Sequence, residues 1–487
     1  MMKAPDRHTS IFQTPVLISI FFGIVFCLVS LPNHYFFRTA TLDLGLYTNA
    51  IYDYAHFSFS DSSSFKENSS NLIADHFDLF LMLISPLSWI FKSWTLLIVQ
   101  IVFLVAGGWG VYTWLREKND NENIGFLGML YFYLHFSLFS ALSFDYHSNV
   151  LAAAMIPWFF VFIQREKILK AALILIAILI CKENMALWMF FVCCATAWLF
   201  RKKAVYKSLL IMASFSIAYF FIITGWVMPA LHSEKTYVQF NYSVLGSNYA
   251  DAFRTLITHP LKIFKTLFIN HSASMQGDYT KSECWLFFLF SGGLFLVLRP
   301  VWIFMLIPVF LQKFLHDWIQ MWGVNDQYVI EFAPIIALGA FDWVGSLKTR
   351  KTKRFFSILL LLMALLSTIR LMDRTSARVP KVKVRLYQAA HWKSDLPLAE
   401  IHKAISLIPD RAVISAQSNI QPHIAWRDKA YMFPLIKDAE YIFYVEGANT
   451  YPLSKNEFKE LTTKLEESPS KWIILYSENG VKLLKRI

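Results

Sequence analysis

Acidic residues and histidines stand at both ends of the first polar loop of this chain. Asp43, in the triplet Asp43-Leu44-Gly45, follows an apolar run of membrane length at residues 15–31, and Asp75-His76 ends the loop. Ionisable groups beside hydrocarbon are costly and usually functional, and these could act as a general base, a divalent-metal clamp, or both. The Ser/Asn-rich stretch 58–71 between them is flexible enough to let them converge. For Asp75-His76 the alternative is a cap on the apolar segment that follows.

Two later turns carry further candidates. Asp145 and His147 stand two residues apart in a short turn between apolar runs, where metal ligation or acid/base work competes with helix capping by Asp145 or Ser148. Lys182-Glu183 follows directly on another apolar run. Lys182 could offer a cation to a phosphate, with Glu183 orienting it. Alternatively, Lys182 snorkels to the interface and the pair neutralises itself.

The composition determines which elements must position these residues. Of the 487 residues, 56% are hydrophobic, 17% aromatic and only 16% charged, which is typical of an α-helical polytopic membrane protein. The five cysteines lie in or beside apolar runs, so neither a disulfide framework nor a thiolate metal site is indicated. The net charge of +12 comes from Lys and Arg crowded into short connectors. That distribution follows the positive-inside bias and predicts a lipid bilayer as partner, with no nucleic acid.

The same bias predicts how many helices cross the bilayer. The apolar segment 77–91 is short, carries Asp78 and contains Pro86, so we interpret it as an interfacial helix on the outer surface. Every basic connector then falls on the cytoplasmic side. About eleven transmembrane helices follow, near residues 15–32, 94–115, 124–142, 147–163, 168–181, 184–200, 206–228, 284–298, 301–315, 328–346 and 355–372.

This topology predicts a multi-pass protein of the inner (cytoplasmic) membrane, with a cytoplasmic N-terminus and the polar residues collected on the other face. That face holds the outer loops 33–93 and 229–283. Where the connector after span 301–315 leads into span 328–346, the same face holds Gln327, Tyr328 and Glu331. In the second loop, residues 260–268 mix bulky apolar residues with lysines. They predict an interfacial helix that is either a lid or lipid contact, or an inert surface element.

Residues 373–487 have the composition of a small soluble α/β domain, following a transmembrane domain at 1–372. Helices are predicted at 399–407 and 455–467, and strands at 412–416, 430–433, 441–445 and 472–476. His423 and Arg427 follow a strand-to-helix turn, where open α/β sheets bind ligands. They could contact an acceptor or be ordinary turn and surface residues. Without a Gly-rich phosphate loop, nucleotide binding is not indicated.

Taken together, these motifs resemble one family along nearly the whole chain. In order they are Asp43-Leu-Gly, Asp75-His-Phe, Phe144-Asp-Tyr-His147, Lys182-Glu183, Gln327-Tyr-x-x-Glu331, and Ser415-Ala-Gln-Ser-Asn followed by Pro422-His423, Arg427 and Phe433-Pro434. The combination resembles the bacterial membrane proteins of domain-of-unknown-function family 2079. That family is similar in layout to the GT-C glycosyltransferases, which take sugars from polyprenyl-phosphate donors on the non-cytoplasmic face.

The resemblance implies a glycosyltransferase-like function in the cell envelope with a polyprenyl-phosphate-linked sugar as donor. It makes Asp43 the general base, with Lys182 and His147 stabilising the departing lipid phosphate and Asp75 or Asp145 assisting or holding a divalent metal ion. Asp43 departs from the pattern of those enzymes because Leu44, not a second acid, follows it. The competing hypothesis is a non-catalytic or lipid- or ion-handling membrane protein whose envelope-facing domain acts as a scaffold. A transferase requires the candidate side chains to share one cavity.

Overall fold

The computed structural model describes residues 7–59, 64, 71–377 and 379–487, with side chains from residue 14 onward. Apolar helices dominate residues 7–373, as the composition predicts. They are Arg7–Tyr35, Thr95–Asn119, Glu122–Leu134, Phe136–Leu142, Ser148–Gln164, Ile168–Leu179, Glu183–Leu199, Val205–Ile222, Thr280–Phe290, Pro300–Phe314, Phe332–Ser346 and Arg350–Asp373.

Only some of these helices are long enough to cross a bilayer by themselves. Among the described residues four helical runs qualify by length and hydropathy, namely Thr14–Tyr35, Phe80–Asn119, Val205–Leu231 and Arg350–Asp373. The pair Glu122–Leu134 and Phe136–Leu142, bent by 42°, makes a fifth if it is one span. The others have 17 residues or fewer and need tilt, thinning or flanking residues to span. The membrane class therefore holds, while the count of eleven spans stays a prediction.

The segment at 77–91 forms short helical turns leading into the helix Thr95–Asn119. They are Phe80–Ile84, Ser85–Leu87, Ser88–Phe91 and Lys92–Trp94. Lys92 has φ of +46°, which interrupts the run, and the side chains of Trp89 and Ile90 are exposed. An exposed apolar face on a broken helix suits the interfacial position that the sequence predicts, which itself stays a prediction.

Short helices also fill the two polar loops. The first contains the π-helical turn Thr41–Gly45 and the helices Leu46–Ala55 and Leu72–Asp75, and the second contains Met228–Leu231, Tyr249–Thr258, Pro260–Thr266 and the 3₁₀ turn Met275–Gly277. The helix predicted at 260–268 is present, ends at Thr266 and exposes Leu261 and Phe264. Apart from Ser64, the centre of the flexible stretch predicted at 58–71 lies outside the described residues.

The C-terminal region contains one five-stranded sheet. Its strands are β1 Ile414–Ala416, β2 Ala430–Met432, β3 Tyr441–Val445, β4 Trp472–Glu478 and β5 Val481–Arg486, in the order β2-β1-β3-β5-β4. β1 runs parallel to β2 and β3, whereas β5 is antiparallel to β3 and β4. The helices are Leu398–Ser406, Gln421–Ile424 and Lys455–Glu466.

The sequence predicts four of these strands and misses β5. The missed signal is Asn479-Gly480, whose positive φ values of 48° and 76° build the tight turn between β4 and β5. Asn-Gly between two apolar stretches is a strong hairpin signal because both residues tolerate positive φ. The domain boundary at 372/373 stays a prediction.

The first outer loop lies against the C-terminal region. Nδ2 of Asn49 donates to the carbonyl of Arg427 at 2.7 Å, and Oγ1 of Thr41 donates to the carbonyl of Ser418 at 3.1 Å. The Arg38 guanidinium donates to three main-chain carbonyls, those of Ala390, His391 and Lys393. These contacts join the loop that carries Asp43 to the residues after the last apolar helix.

Candidate functional site

Asp43 lies in a one-turn π-helical segment, Thr41–Gly45, just before the helix Leu46–Ala55. The N–H of Gly45 reaches back to the carbonyl of Ala40 at 3.1 Å, which widens the turn. Such turns occur frequently at functional sites. Glycine is needed at position 45 because a Cβ there would collide with the side-chain amide oxygen of Gln421. The Asp-Leu-Gly triplet thus combines a carboxylate with a contact to the C-terminal region.

Asp43 and His147 form a closer carboxylate–imidazole pair than the one between His76 and Glu183. Oδ1 of Asp43 lies 3.3 Å from Nε2 of His147, and the Asp43 side chain keeps 25% of its surface exposed while that of His147 is almost fully buried. Gln100 fixes the turn that carries the histidine, because its Oε1 accepts from the N–H of His147 at 3.1 Å. Phe144 stacks on the imidazole at 5.4 Å. Burial lowers the pKa of His147, although Asp43 opposes that shift.

Asp145 contacts the first outer loop just before the turn that carries Asp43. Its Oδ2 accepts from the N–H of Ala40 at 2.8 Å. Burial raises the pKa of Asp145, with Lys383 opposing and Asp43 adding to the shift. The capping alternative fails here, because the helix Ser148–Gln164 has no side-chain cap at its N-terminus.

A second group surrounds Glu183. The Glu183 carboxylate lies 3.7 Å from Nδ1 of His76 and accepts from the N–H of Phe77 at 3.1 Å. The Glu183 carboxylate thus pairs with a histidine, whereas the sequence offered only Lys182 as its partner. Asp75 accepts from Nε2 of Gln239 at 3.0 Å, so it faces the second outer loop and not the helix that, in the alternative interpretation, it would cap.

Asp78 takes that capping position. Its Oδ1 accepts from the N–H of Leu81 at 3.3 Å in the first turn of the helix Phe80–Ile84, and its Oδ2 accepts from the hydroxyl of Ser148. Burial raises the pKa of Asp78 to about 7, and both hydrogen bonds oppose that shift. Asp78 therefore links the segment after the first loop to the turn of His147.

Tyr47 lies between the two groups, and the sequence analysis missed it. Burial raises the pKa of this phenol, and the carboxylates of Asp78, Asp43, Asp75 and Glu183 raise it further. Its ring centre lies 6.1 Å from that of His147. Four carboxylates, three from the first outer loop and one from the turn at Glu183, therefore act on one buried tyrosine. The structure brings Asp43, Asp75, His76, Asp145, His147 and Glu183 to the same end of the helix bundle.

Lys182 lines a small polar cavity beside this group. Asn149, Gln327, Tyr328 and Glu331 also line it, and its volume of about 50 Å³ leaves room for water-sized groups. Nδ2 of Asn149 donates to Glu331 at 3.3 Å, which aims its amide oxygen elsewhere, and that buried oxygen has no partner among the described residues. The amide oxygen of Gln327 is in the same condition. Buried acceptors that lack a donor can accept hydrogen bonds from bound water or from the hydroxyl groups of a ligand.

Asp326 and Lys383 complete the charged surroundings of Asp43, and neither was among the predicted site residues. Asp326 has φ of +62°, and burial raises the pKa of its carboxyl to about 6, with Lys383 opposing and Asp43 adding to the shift. The Lys383 ammonium lies 5.7 Å from the centre of the Phe144 ring. The only sequence signal for Lys383 is the pair Lys381 and Lys383 just after the last apolar helix. This pair lies in residues 373–487, for which the sequence predicts a soluble domain.

His423 and Arg427 pack within the contact between the first loop and the C-terminal region. His423 stacks on His34 with ring centres 3.9 Å apart. Arg427 donates to the carbonyls of Ile424, Pro409 and Ala412. These contacts give both residues a structural role, and binding of an acceptor by them stays a prediction.

Comparison with known proteins supplies the family. The model of a family described as "Predicted membrane protein (DUF2079)" matches residues 33–483. The chain belongs to this family. No curated protein matches it. Among solved structures it is similar to ArnT from Cupriavidus metallidurans bound to undecaprenyl phosphate, with 10% identity, a TM-score of 0.53, and 97% of this chain and 98% of that chain covered. The apo structure of the same ArnT gives 10% identity and a TM-score of 0.49, with 99% and 98% covered.

At this identity the likeness to ArnT, a GT-C glycosyltransferase, shows the fold of this DUF2079 protein and not its activity. The expectation of a GT-C-like layout is thus supported by a solved structure over 97% of this chain. A resident metal ion fits less well. Within the described parts of the chain, no three His, Cys, Asp or Glu side chains are grouped so that they could hold one.

Proposed function

We propose that this DUF2079 protein is a membrane glycosyltransferase that moves a sugar from a polyprenyl-phosphate donor to an acceptor hydroxyl on the non-cytoplasmic face. The observation that carries the proposal is the Asp43–His147 contact at 3.3 Å, in which a partly exposed carboxylate meets a buried histidine. The GT-C-like fold supports it, as does the undecaprenyl phosphate that is bound to ArnT in the similar structure.

In the proposed reaction Asp43 takes the proton of the acceptor hydroxyl. As the acceptor oxygen bonds to the anomeric carbon, the bond from that carbon to the phosphate oxygen breaks, and the electron pair leaves with the polyprenyl phosphate. His147 holds the Asp43 carboxylate in position, and Gln100 and Phe144 hold the imidazole. A general base of this kind contributes about 10²–10⁴-fold.

Burial separates Asp43 from the neighbouring carboxylates. Asp78 and Asp145 are almost fully buried, and burial raises the pKa of each, so near neutral pH a substantial fraction of each holds its own proton. A protonated carboxyl cannot accept the hydroxyl proton. Asp75 is already bonded to Gln239. Asp43 is the carboxylate that combines exposure with a basic partner.

The leaving phosphate needs cations, which Lys182 and Lys383 supply in this proposal. Lys182 lines the polar cavity, and Lys383 interacts electrostatically with Asp145 and Asp326. The unpartnered amide oxygens of Asn149 and Gln327 would accept hydroxyl groups of the sugar. The cavity of about 50 Å³ is too small for a whole sugar ring, so the donor must widen it on binding.

The test is Asp43→Asn in the purified full chain, incubated with a total extract of bacterial polyprenyl-phosphate sugars. Release of polyprenyl phosphate, measured by mass spectrometry, should fall by about 10²-fold or more. Asp120→Asn is the matched control. Asp120 is exposed, has φ of +46°, and Asn tolerates that conformation, so the control should keep full activity.

Thermal unfolding of both variants must match that of the wild type, so that lost activity reports chemistry and not folding. Equal release by Asp43→Asn and the wild type would refute the base assignment. If the wild type releases no polyprenyl phosphate from any extract but retains the lipid-linked sugar, the non-catalytic lipid-handling function takes its place.

A further inference from the structure

A groove open to the surface lies between the helices Thr280–Phe290 and Arg350–Asp373. Its volume is about 650 Å³, within the roughly 300–1,000 Å³ of typical ligand pockets. None of the side chains that line it belongs to the candidate site described above. The groove is therefore a separate feature that the proposed transfer reaction does not use.

Two apolar stripes form the walls. Leu286 and Phe290 lie four residues apart on one helix, and Leu366 lies four residues before Arg370 on the other, so each set occupies one helix face. Leu286, Phe290 and Leu366 are exposed by 52%, 64% and 62%. In a bilayer such walls face hydrocarbon. An acyl chain is the natural occupant between them.

The polar end of the groove carries positive charge. Arg370 lies in the last turn of the last long helix, and Arg374 is the extended residue that directly follows the end of that helix. Arg370 has a long surface contact of 3.8 Å with Asp373, and such exposed pairs hold a charge only weakly. Arg374 has no ion-pair partner among the residues that the structure describes. Both guanidinium groups are thus available to a ligand.

The nearby acid is already occupied. The Glu283 carboxylate accepts from the N–H of Ser376 at 2.9 Å and from its hydroxyl at 2.7 Å. This arrangement closes the end of the groove and leaves the two arginines as its free charges. Guanidinium groups match phosphate oxygens with two parallel hydrogen bonds.

We propose that this groove binds an anionic phospholipid of the surrounding bilayer. Its chain lies along Leu286, Phe290 and Leu366, and its phosphate contacts Arg370 and Arg374. Basic residues at the end of an apolar helix stand at headgroup depth, where a guanidinium group can contact a lipid phosphate. The lipid is a resident ligand that stays intact. The inference does not depend on the proposed transferase activity.

The test uses the delipidated full chain, mixed with vesicles of phosphatidylglycerol or of phosphatidylcholine, re-extracted and examined by native mass spectrometry. The wild type should retain phosphatidylglycerol in preference to phosphatidylcholine. The double variant Arg370→Gln/Arg374→Gln should retain at least tenfold less phosphatidylglycerol than the wild type. Arg350→Gln/Lys351→Gln, two exposed charges at the opposite end of the same helix, is the matched control and should retain it.

A second variant tests the chain-binding part. Leu366→Trp fills the groove without changing a charge and should also release the lipid, and its exposed position keeps folding intact. Unchanged retention in the Arg370/Arg374 variant, or equal loss in the control, would overturn the proposal. Selective retention of added undecaprenyl phosphate over phosphatidylglycerol would overturn it as well, because the groove would then belong to a polyprenyl ligand.

Discussion

Replacing Gly45 by Ala should destabilise the contact between the first outer loop and the C-terminal region. The backbone at Gly45, with φ of −64° and ψ of −46°, suits any residue, so strain is not the cause. The added Cβ would instead collide with the amide of Gln421 and approach Cγ of Pro422 at 3.4 Å. Gln421 cannot swing away freely, because it is fully buried and its Nε2 donates to the carbonyl of Ala430 at 3.0 Å.

The magnitude follows from that geometry. Overpacking of a tight contact costs about 1–3 kcal/mol, and a displaced Gln421 would also lose a hydrogen bond of about 1 kcal/mol. The midpoint of thermal unfolding of the purified full chain, at a fixed heating rate, should therefore fall by several degrees. Gly225→Ala is the matched control. Gly225 also lies in a π-helical turn, Ile223–Val227, and a Cβ there would meet nothing within 4 Å.

A double-mutant cycle with Gln421→Ala identifies the collision as the cause. In that background Gly45→Ala should cost little, which gives a coupling of about 1–3 kcal/mol. If Gly45→Ala leaves the midpoint of the wild type unchanged, or if Gln421→Ala does not relieve its cost, then the loop does not contact Gln421 as the structure describes. Because Gly45 is two residues from Asp43, release of polyprenyl phosphate should fall together with the midpoint.

Two further predictions concern buried charges. Burial raises the pKa of Asp78 from 3.8 to about 7, so between these pH values the folded chain keeps a proton that the unfolded chain has lost. The free energy of unfolding is therefore highest below pH 4 and falls by about 4 kcal/mol as the pH rises to 7. The midpoint of thermal unfolding of Asp78→Asn should therefore rise relative to that of the wild type between pH 5 and pH 8. A difference between the two midpoints that is independent of pH would contradict this. Lys383→Gln removes the cation that opposes the raised pKa values of Asp145 and Asp326, so the acidic limb of the pH–activity profile should move to higher pH. An unmoved limb would mean that neither carboxyl controls activity.

Much of the helical architecture could be predicted from the sequence because long apolar runs carry their own signal. Residues 206–228 and 355–372, for instance, fall within the helical runs Val205–Leu231 and Arg350–Asp373. The ends of the short helices leave a weaker signal in the sequence. The bend at His135 divides residues 124–142 into two helices, because the histidine side chain accepts from the N–H of Ser137 and starts a new one. Hydropathy alone does not contain that break.

The candidate site was only partly predictable for a related reason. Short turns between apolar runs place Asp145 and Lys182 beside the bundle end, so their convergence follows from topology. The role of Asp78 was not predictable in this way. A single acid in an apolar run argues against a transmembrane span, but it does not indicate a hydrogen bond from the distant Ser148 hydroxyl. Lys383 was missed because its partners are more than fifty residues earlier in the chain. Interactions between distant loops leave no local pattern.

The arrangement of charges also explains why so many carboxyl groups can share one end of the bundle. Four ionised carboxylates around the buried Tyr47 would repel one another strongly in a low dielectric. Burial reduces this repulsion at Asp78, because its raised pKa leaves a substantial fraction of this carboxyl protonated near neutral pH, and burial acts in the same direction on Asp145. His76 compensates Glu183. Asp43 lies beside His147 and keeps part of its surface exposed, which is the position from which a base can reach a substrate hydroxyl.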